Sequence, residues 1–84
     1  MYYTYILESQ KTGKYYFGQT ENLEKRLEQH NSGYSKSTKS GIPWRIVFYK
    51  EFETRIEAVA FEAKLKSYKN RKYIEEIITG RASR

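Results

Sequence analysis

The sequence predicts an α+β fold, in which a three-stranded antiparallel sheet is flanked by helices in the order ββαβαα. Two aromatic stretches near the amino terminus are separated by a polar loop, which is typical of a β-hairpin. A third apolar stretch, at residues 44–52, stands between segments that carry helix start and stop signals. At 84 residues the chain has material for one small core, so we expect a single domain over residues 1–80 and a flexible tail over residues 81–84.

The first strand is predicted over residues 1–8, where aromatic and β-branched residues dominate. Side chains alternate across a strand, so Tyr3, Tyr5 and Leu7 share one face. Polar residues 9–14 then predict the hairpin loop.

The second strand is predicted over residues 15–19, with Tyr16 on the face opposite that of Tyr15. A charged helix follows, for which Thr20 is the expected N-cap. Gly33 predicts a left-handed stop after this helix.

The middle of the chain is predicted to be a polar loop followed by a strand. Residues 34–43 form the loop, and residues 44–52 have the strongest strand signal in the sequence. We therefore expect residues 44–52 to form the most buried strand.

Two helices are predicted after the third strand. Thr54 and Glu57 form a T-x-x-E capping box, and the helix that they open runs through about Ser67. Asn70 is the expected cap of the last helix, which ends at Gly80. The residues of this helix that are predicted to face inward are Tyr73, Ile74, Ile77 and Ile78.

The charge balance favours a polyanionic partner. Lys and Arg number 16 against 10 Asp and Glu, which gives a net charge of +6. Such a chain is suited to nucleic acid or to an anionic membrane surface. No apolar run approaches the roughly 20 residues of a membrane span and no signal-peptide core follows Met1, so we expect a cytoplasmic protein that does not enter the membrane. The absence of cysteine excludes disulfides and thiolate metal sites, and a single histidine excludes a His-rich metal site.

Arg26 and His30 are four residues apart on the first predicted helix, so they share one face. Arginine is suited to bind phosphate oxygens, and histidine can donate a hydrogen bond or move a proton. With Tyr16 on the preceding strand, the pair suggests phosphate chemistry. On the helix alone, solvated side chains are the simpler interpretation.

Glu62 borders apolar positions on the second long helix, where an unpaired carboxylate is costly to desolvate. Lys66, one turn later, is the simpler partner through an ordinary i,i+4 ion pair. A divalent cation is the alternative, because Mg²⁺ often uses one or two carboxylates and fills its other positions with water and phosphate.

Basic side chains in the central loop and around the end of the second long helix form a candidate nucleic-acid surface. They are Lys36, Lys39, Lys64, Lys66, Lys69, Arg71 and Lys72. A nucleic-acid backbone would bind there, and the alternative is a solvated helix junction.

Several short motifs occur in a characteristic order. Tyr3-Thr4-Tyr5 precedes Tyr16-Phe17-Gly18, with eleven residues from Tyr5 to Tyr16, and Arg26 follows ten residues later. His30 is followed by Asn31-Ser32-Gly33. The later matches are Ser37-Thr38-Lys39, Pro43-Trp44 and Ala60-Phe61-Glu62. From Tyr2 to about Ile78, the chain resembles the GIY-YIG nuclease superfamily, and in particular its small stand-alone bacterial members.

The resemblance implies a metal-dependent endonuclease that hydrolyses phosphodiester bonds of DNA, including branched or damaged DNA in repair or recombination. It implies that Tyr16 activates water or takes its proton, that Tyr5 orients the water network, and that Arg26 stabilises charge on the phosphate. His30 would assist proton transfer. Glu62 would bind one Mg²⁺ or Mn²⁺ ion, and no small-molecule cofactor is implied.

The chain departs from the family pattern at several positions. The first motif lacks its Gly and its Ile, Phe17 replaces Ile in the second, and Gln19 stands where some relatives have a lysine. Asn70 aligns loosely with a late family asparagine. A catalytically weak or inactive nucleic-acid-binding module of the same fold is therefore the alternative, and a protein-interaction domain is a third. DNA or RNA as the target, the oligomeric state and the pathway stay open.

Overall fold

The computed structural model describes residues 1–80 and shows an antiparallel sheet with helices on both faces. Its elements are β1 (Tyr2–Ser9), β2 (Tyr15–Thr20), α1 (Leu23–Asn31), a 3₁₀ helix (Lys36–Gly41), β3 (Trp44–Phe52), α2 (Arg55–Ser67) and α3 (Arg71–Thr79). The predicted α+β class is confirmed. The expected flexible tail, residues 81–84, lies outside the described residues. Within residues 1–80, each helix is too short or too polar to cross a membrane.

The first strand of the chain is the central strand of the sheet. The strand order is β2-β1-β3, and β1 pairs antiparallel with both neighbours. Thr4 to Leu7 are consequently buried, whereas β3 is an edge strand that exposes Arg45 and residues 49–51. The expectation that residues 44–52 form the most buried strand is wrong. Apolar composition indicated a strand correctly, but the burial of a strand depends on how many of its edges and faces are covered.

The predicted alternation of side chains places two apolar clusters on opposite faces of the sheet. The cluster beneath α1 contains the buried residues Tyr5, Leu7 and Trp44. The cluster beneath α2 and α3 contains the buried residues Ile6, Leu65 and Ile74. Because α1 lies on one face and the later helices lie on the other, β1 can carry a core residue at nearly every position.

The two ends of α1 show which of the predicted cap and stop residues the helix uses. The N-cap is Asn22, whose side chain accepts a hydrogen bond from the Lys25 N–H at 3.0 Å. The expected cap, Thr20, instead ends β2, and its hydroxyl accepts from the Asn22 N–H at 3.2 Å. Both residue types can cap a helix, so the sequence placed the cap two residues early. Gly33 has φ +83°, which confirms the predicted left-handed stop.

The segment predicted as a polar loop contains the 3₁₀ helix, and the Ile42–Pro43 peptide bond that follows it is cis. The later helix signals are confirmed: the Thr54 capping box is complete, and Asn70 caps α3. Tyr73 is the exception among the residues expected to face inward. It is 36% exposed and lies against the Tyr68 ring, at the margin of the apolar cluster beneath α2 and α3.

Asn31, the last residue of α1, holds the start of β3. Its Nδ2 donates to the Trp44 carbonyl at 2.9 Å, and its Oδ1 accepts from the Trp44 N–H at 2.6 Å. One side chain thereby satisfies both backbone groups of a residue that begins an edge strand. This pair of hydrogen bonds fixes the distance between α1 and the sheet at the end where the candidate site lies.

Asn31→Ala is expected to lower the free energy of unfolding by about 2 kcal/mol, because two part-buried backbone groups lose their partners. Urea unfolding of the purified protein measures this change. Ser32→Ala is the matched control, since the exposed Ser32 hydroxyl only bonds the Gln29 carbonyl within the same helix, and its effect should stay within about 0.5 kcal/mol. Equal effects of the two substitutions would contradict the role of Asn31.

Candidate active site

The centre of the candidate site is the contact between Tyr5 and Gly18, which are directly paired across β1 and β2. A Cβ atom at Gly18 would lie 2.5 Å from the Tyr5 hydroxyl oxygen and 2.7 Å from its Cζ. Real Cβ atoms do not approach other atoms so closely, so only glycine lets the Tyr5 ring lie across β2. Gly18, in the second motif, therefore determines where the hydroxyl of Tyr5, in the first motif, can lie.

His30 is completely buried, although it belongs to a helix of mostly polar residues. Its Nε2 is hydrogen-bonded to the Tyr5 hydroxyl at 3.1 Å, and its Nδ1 is hydrogen-bonded to Thr38 Oγ1 at 2.8 Å. Both ring nitrogens thus have partners, as a buried imidazole requires. The sequence placed His30 only at the edge of the buried stripe.

Tyr16 stands beside these groups on the same face of the sheet. Its ring centroid lies 4.9 Å from that of His30 and 6.5 Å from that of Tyr5, and it also contacts the Trp44 ring. The imidazole meets Tyr16 through an edge-to-face ring contact, while its Nε2 is bonded to Tyr5. Tyr5 is therefore hydrogen-bonded to His30, whereas Tyr16 contacts it through its ring.

Arg26 lies one turn before His30 and is half-buried. Its Nη1 donates to Gln29 Oε1 at 3.0 Å and its Nη2 donates to Ser35 Oγ at 3.4 Å. Burial lowers the pKa of the Arg26 guanidinium, but hydrogen bonding and Coulombic attraction to Tyr5 and Tyr16 outweigh this effect and raise the pKa. Arg26 thus stays cationic, and its charge is coupled to both phenols.

Glu62 belongs to α2, which packs on the opposite face of the sheet from α1. Its side chain is 19% exposed, and its carboxylate forms an ion pair with Lys66 at 2.8 Å, which confirms the i,i+4 partner expected from the sequence. The hydrogen bond to Glu62 raises the pKa of Lys66, and the Tyr16 phenol adds to this increase. The Glu62 charge also acts on Tyr5. The site thus combines residues from β1, β2, α1 and α2.

Burial controls the protonation of the inner groups. It raises the pKa of the Tyr5 phenol, against the opposing effect of the Arg26 hydrogen bond, so Tyr5 is a neutral phenol at neutral pH. Burial, and then the Arg26 charge, lower the pKa of His30 to about 4. His30 is therefore a neutral imidazole near pH 7 and not a cation.

The site residues fit a divalent ion in one way, through a single carboxylate. Within residues 1–80, no three His, Cys, Asp or Glu side chains are grouped closely enough to form a complete metal cage. A single carboxylate with oxygen donors suits Mg²⁺ or Mn²⁺ when water and substrate phosphate supply the remaining ligands. Glu62 can serve in this way once Lys66 releases it.

The predicted nucleic-acid-binding side chains are all exposed, and they lie in two groups. Lys36 and Lys39 belong to the 3₁₀ helix, and the others belong to α2, to α3 and to the link between them. Two of them are engaged within the protein: Lys66 pairs with Glu62, and Arg71 stacks 4.3 Å over the Tyr15 ring while pairing with Glu75 at 3.3 Å. In the described part of the chain, Lys64, Lys69 and Lys72 form no ion pair.

A family model described as the GIY-YIG catalytic domain matches residues 1–74. The chain belongs to the GIY-YIG family. It is 37% identical to the UPF0213 protein of Streptococcus pneumoniae serotype 4 over 78 residues, which cover 92% of this chain and 77% of that protein. It is 40% identical to a UPF0213 protein of Bacillus licheniformis over 79 residues, covering 89% and 80%.

A solved structure of a similar protein supports the architecture. The solution NMR structure of the UPF0213 protein from Bacillus halodurans matches with a TM-score of 0.59 at 32% identity, covering 98% of this chain and 87% of that chain. The sheet and its flanking helices are therefore those of the family.

Sequence reasoning missed the place of one polar residue, Thr38, in this candidate site. Thr38 carries a bond to His30, but the sequence identified it only as part of a matching tripeptide. Gln19 lies on the α2 face of β2, and its buried Oε1 has no hydrogen-bond partner in the described part of the chain. No spacing rule links Thr38 to His30, since they lie eight residues apart on different elements.

The buried His30 is expected to make stability depend on pH. An unfolded histidine titrates near pH ~6.5, whereas the folded pKa is about 4, so the unfolded chain binds one more proton between these values. The free energy of unfolding should therefore decrease as the pH falls through this window, by about 3 kcal/mol in total. Urea unfolding at several pH values between 7 and 4 measures the decrease.

His30→Gln is the control for this titration. Glutamine has no titrating group, and the substitution leaves every glutamate of the chain in place. Its stability should depend less steeply on pH than that of the unchanged protein. Parallel curves for the two proteins would show that His30 is not the titrating group.

Proposed function

We propose that this protein is a metal-dependent endonuclease that hydrolyses phosphodiester bonds of DNA, with residues 1–80 acting as a single domain. Membership of the GIY-YIG family supports a nuclease-like protein. The observation that carries the proposal is the convergence of Tyr5, Tyr16 and Arg26 on one face of the sheet, with the Glu62 charge acting on Tyr5. Branched or damaged DNA is the expected substrate.

Tyr16, in its phenolate form, is the residue that takes the proton from the attacking water and becomes a neutral phenol. Its ring is held by aromatic contacts with His30 and Trp44, which fix the direction of its hydroxyl without using it. Arg26 stabilises the charge that develops on the phosphate, because its guanidinium stays cationic and is coupled electrostatically to both phenols. The two residues together supply proton transfer and charge stabilisation.

Tyr5 orients the attacking water, and His30 acts through Tyr5. The imidazole is fully buried and neutral, so it reaches the reacting atoms only through its hydrogen bond to the Tyr5 hydroxyl. In this arrangement, His30 assists proton transfer through Tyr5 and not by direct contact with the Tyr16 hydroxyl.

Glu62 would hold the divalent ion, Mg²⁺ or Mn²⁺, after exchanging its ion pair with Lys66. When bound, such an ion polarises the scissile phosphate and neutralises the leaving group. Lys66, once free, and the exposed lysines Lys64, Lys69 and Lys72 would add positive charge along α2, the start of α3 and the link between them. Lys36 and Lys39 extend this basic surface beside α1, and Arg71 adds charge at the start of α3.

The site variants test this proposal. Purified protein is incubated with branched, flapped and single-stranded DNA in Mg²⁺ or Mn²⁺, and cleavage is measured. Tyr16→Phe, Arg26→Ala and Glu62→Gln are each expected to reduce the cleavage rate by roughly 10²-fold or more. Tyr15→Phe is the matched control on the same strand but the opposite face, and it should cleave normally. Cleavage that is unchanged in the three site variants would refute the mechanism.

A non-catalytic nucleic-acid-binding module is the second candidate function. The observation that favours it is the Glu62–Lys66 ion pair, which leaves the carboxylate already neutralised by a protein cation. Salt-sensitive DNA binding with no cleavage under any divalent metal would support this alternative. Cleavage that depends on Glu62 would reject it.

The basic surface has its own test, which applies to both candidate functions. The double substitution Lys64→Ala with Lys72→Ala is expected to weaken DNA binding and to reduce the slope of log Kd against log salt by about 2, if each lysine contacts one phosphate. Fluorescence anisotropy over a salt series measures the slope. Lys11→Ala, in the exposed hairpin loop, is the control and should leave the slope unchanged. An unchanged slope in the double variant would show that DNA binds elsewhere.

A further inference from the structure

The hydrogen bonds around His30 form a continuous chain whose direction can be determined. Thr38 Oγ1 lies 2.8 Å from His30 Nδ1 and 3.3 Å from the Ser35 carbonyl oxygen, which can only accept. At the other side of the ring, the Tyr5 hydroxyl lies 3.1 Å from Nε2. A neutral imidazole carries one proton, so the whole chain runs in one of two directions.

In the first direction, Thr38 donates to the Ser35 carbonyl and accepts from His30 Nδ1–H. The bare Nε2 then accepts from the Tyr5 hydroxyl. Every proton of the chain has a partner within the protein, and the oxygen of Tyr5 keeps its lone pairs for other donors.

In the second direction, Thr38 donates to Nδ1, and Nε2–H donates to Tyr5. The Thr38–Ser35 hydrogen bond is then lost. The Tyr5 proton must also turn away from His30, although Tyr5 is only 2% exposed and has little water around it. A buried donor without a partner is costly, so the first direction is the stable one.

Other contacts agree with the first direction. Arg26 carries only donors, and its charge acts on the Tyr5 phenol, which favours a phenol oxygen that serves as an acceptor on that side while its proton is donated to His30. The Thr38 side chain is 1% exposed, and its backbone carbonyl accepts from Trp44 Nε1 at 2.7 Å. Thr38 is thus held by its backbone, and its hydroxyl is available for His30.

We propose that Thr38 is a positioning residue of the site: its hydroxyl holds His30 in the Nδ1–H tautomer, so that Tyr5 donates inward and presents only an acceptor to the attacking water. The tautomer stands on geometry alone, and only its effect on cleavage rests on the proposed function. In this arrangement Tyr5 receives a hydrogen bond from the water that it orients, while Tyr16 remains the group that takes the proton.

The tautomer can be measured directly, because His30 is the single histidine of the chain. Two-dimensional ¹H–¹⁵N NMR of the imidazole at pH 7 distinguishes the Nδ1–H form from the Nε2–H form by the ¹⁵N shifts of the two ring nitrogens. We expect the Nδ1–H form in the unchanged protein and in Thr38→Ser, which keeps the hydroxyl. Thr38→Val keeps the shape but has no acceptor, so it should shift the ring towards the Nε2–H form.

An Nε2–H ring or an imidazolium in the unchanged protein would overturn the proposal, and this spectrum needs no variant to fold. A Thr38→Val spectrum identical to that of the unchanged protein would also overturn it. In the cleavage assay, Thr38→Val should lose roughly tenfold or more, and Thr38→Ser should restore activity. If the unchanged protein cleaves no DNA, the proposed function fails, while the NMR result still decides the role of Thr38 in setting the tautomer.

Discussion

The absence of a side chain at Gly18 is the constraint on which the candidate site depends. Because β1 and β2 pair Tyr5 with Gly18, the phenol ring occupies the space above the neighbouring strand. That position brings its hydroxyl to His30 and into the field of Arg26. A methyl group at this position would move the ring, and with it each group that Tyr5 contacts. One glycine thus sets the geometry of groups on two strands and one helix.

Polar contacts, and not apolar area alone, attach α1 to the sheet. Its fully buried residue is His30, and its last residue is the Asn31 that bonds both backbone groups of Trp44. Leu23 and Leu27 add only partly buried contacts. Buried polar groups require specific geometry to be stable, so they fix the position of a helix more narrowly than apolar contacts do. The helix that carries Arg26 is therefore held at one orientation relative to the phenols.

The sequence predicted those features that depend on a few consecutive residues. The Thr54 capping box, the Asn70 cap and the left-handed Gly33 are local, and each is confirmed. The two strand faces also followed from alternation alone. The cap of α1 was misplaced because Thr20 and Asn22 carry equivalent signals two residues apart. Burial was less predictable: β1 and β3 have similar compositions, and only the pairing order makes β1 central. The same limitation applied to His30, whose burial depends on Tyr5 and Thr38 arriving from other elements.

The central position of β1 affects the order in which the chain can assemble. During synthesis β1 leaves the ribosome first, and β2 can pair with it at once across a short loop. The other edge of β1 stays without a partner until Trp44–Phe52 has been made. Until then its backbone N–H and C=O groups are open to water or to another nascent chain, which is the condition under which sheets join edge to edge. A pause in translation between β2 and β3 would therefore leave this edge of β1 open to other chains, and completion of the third strand covers it.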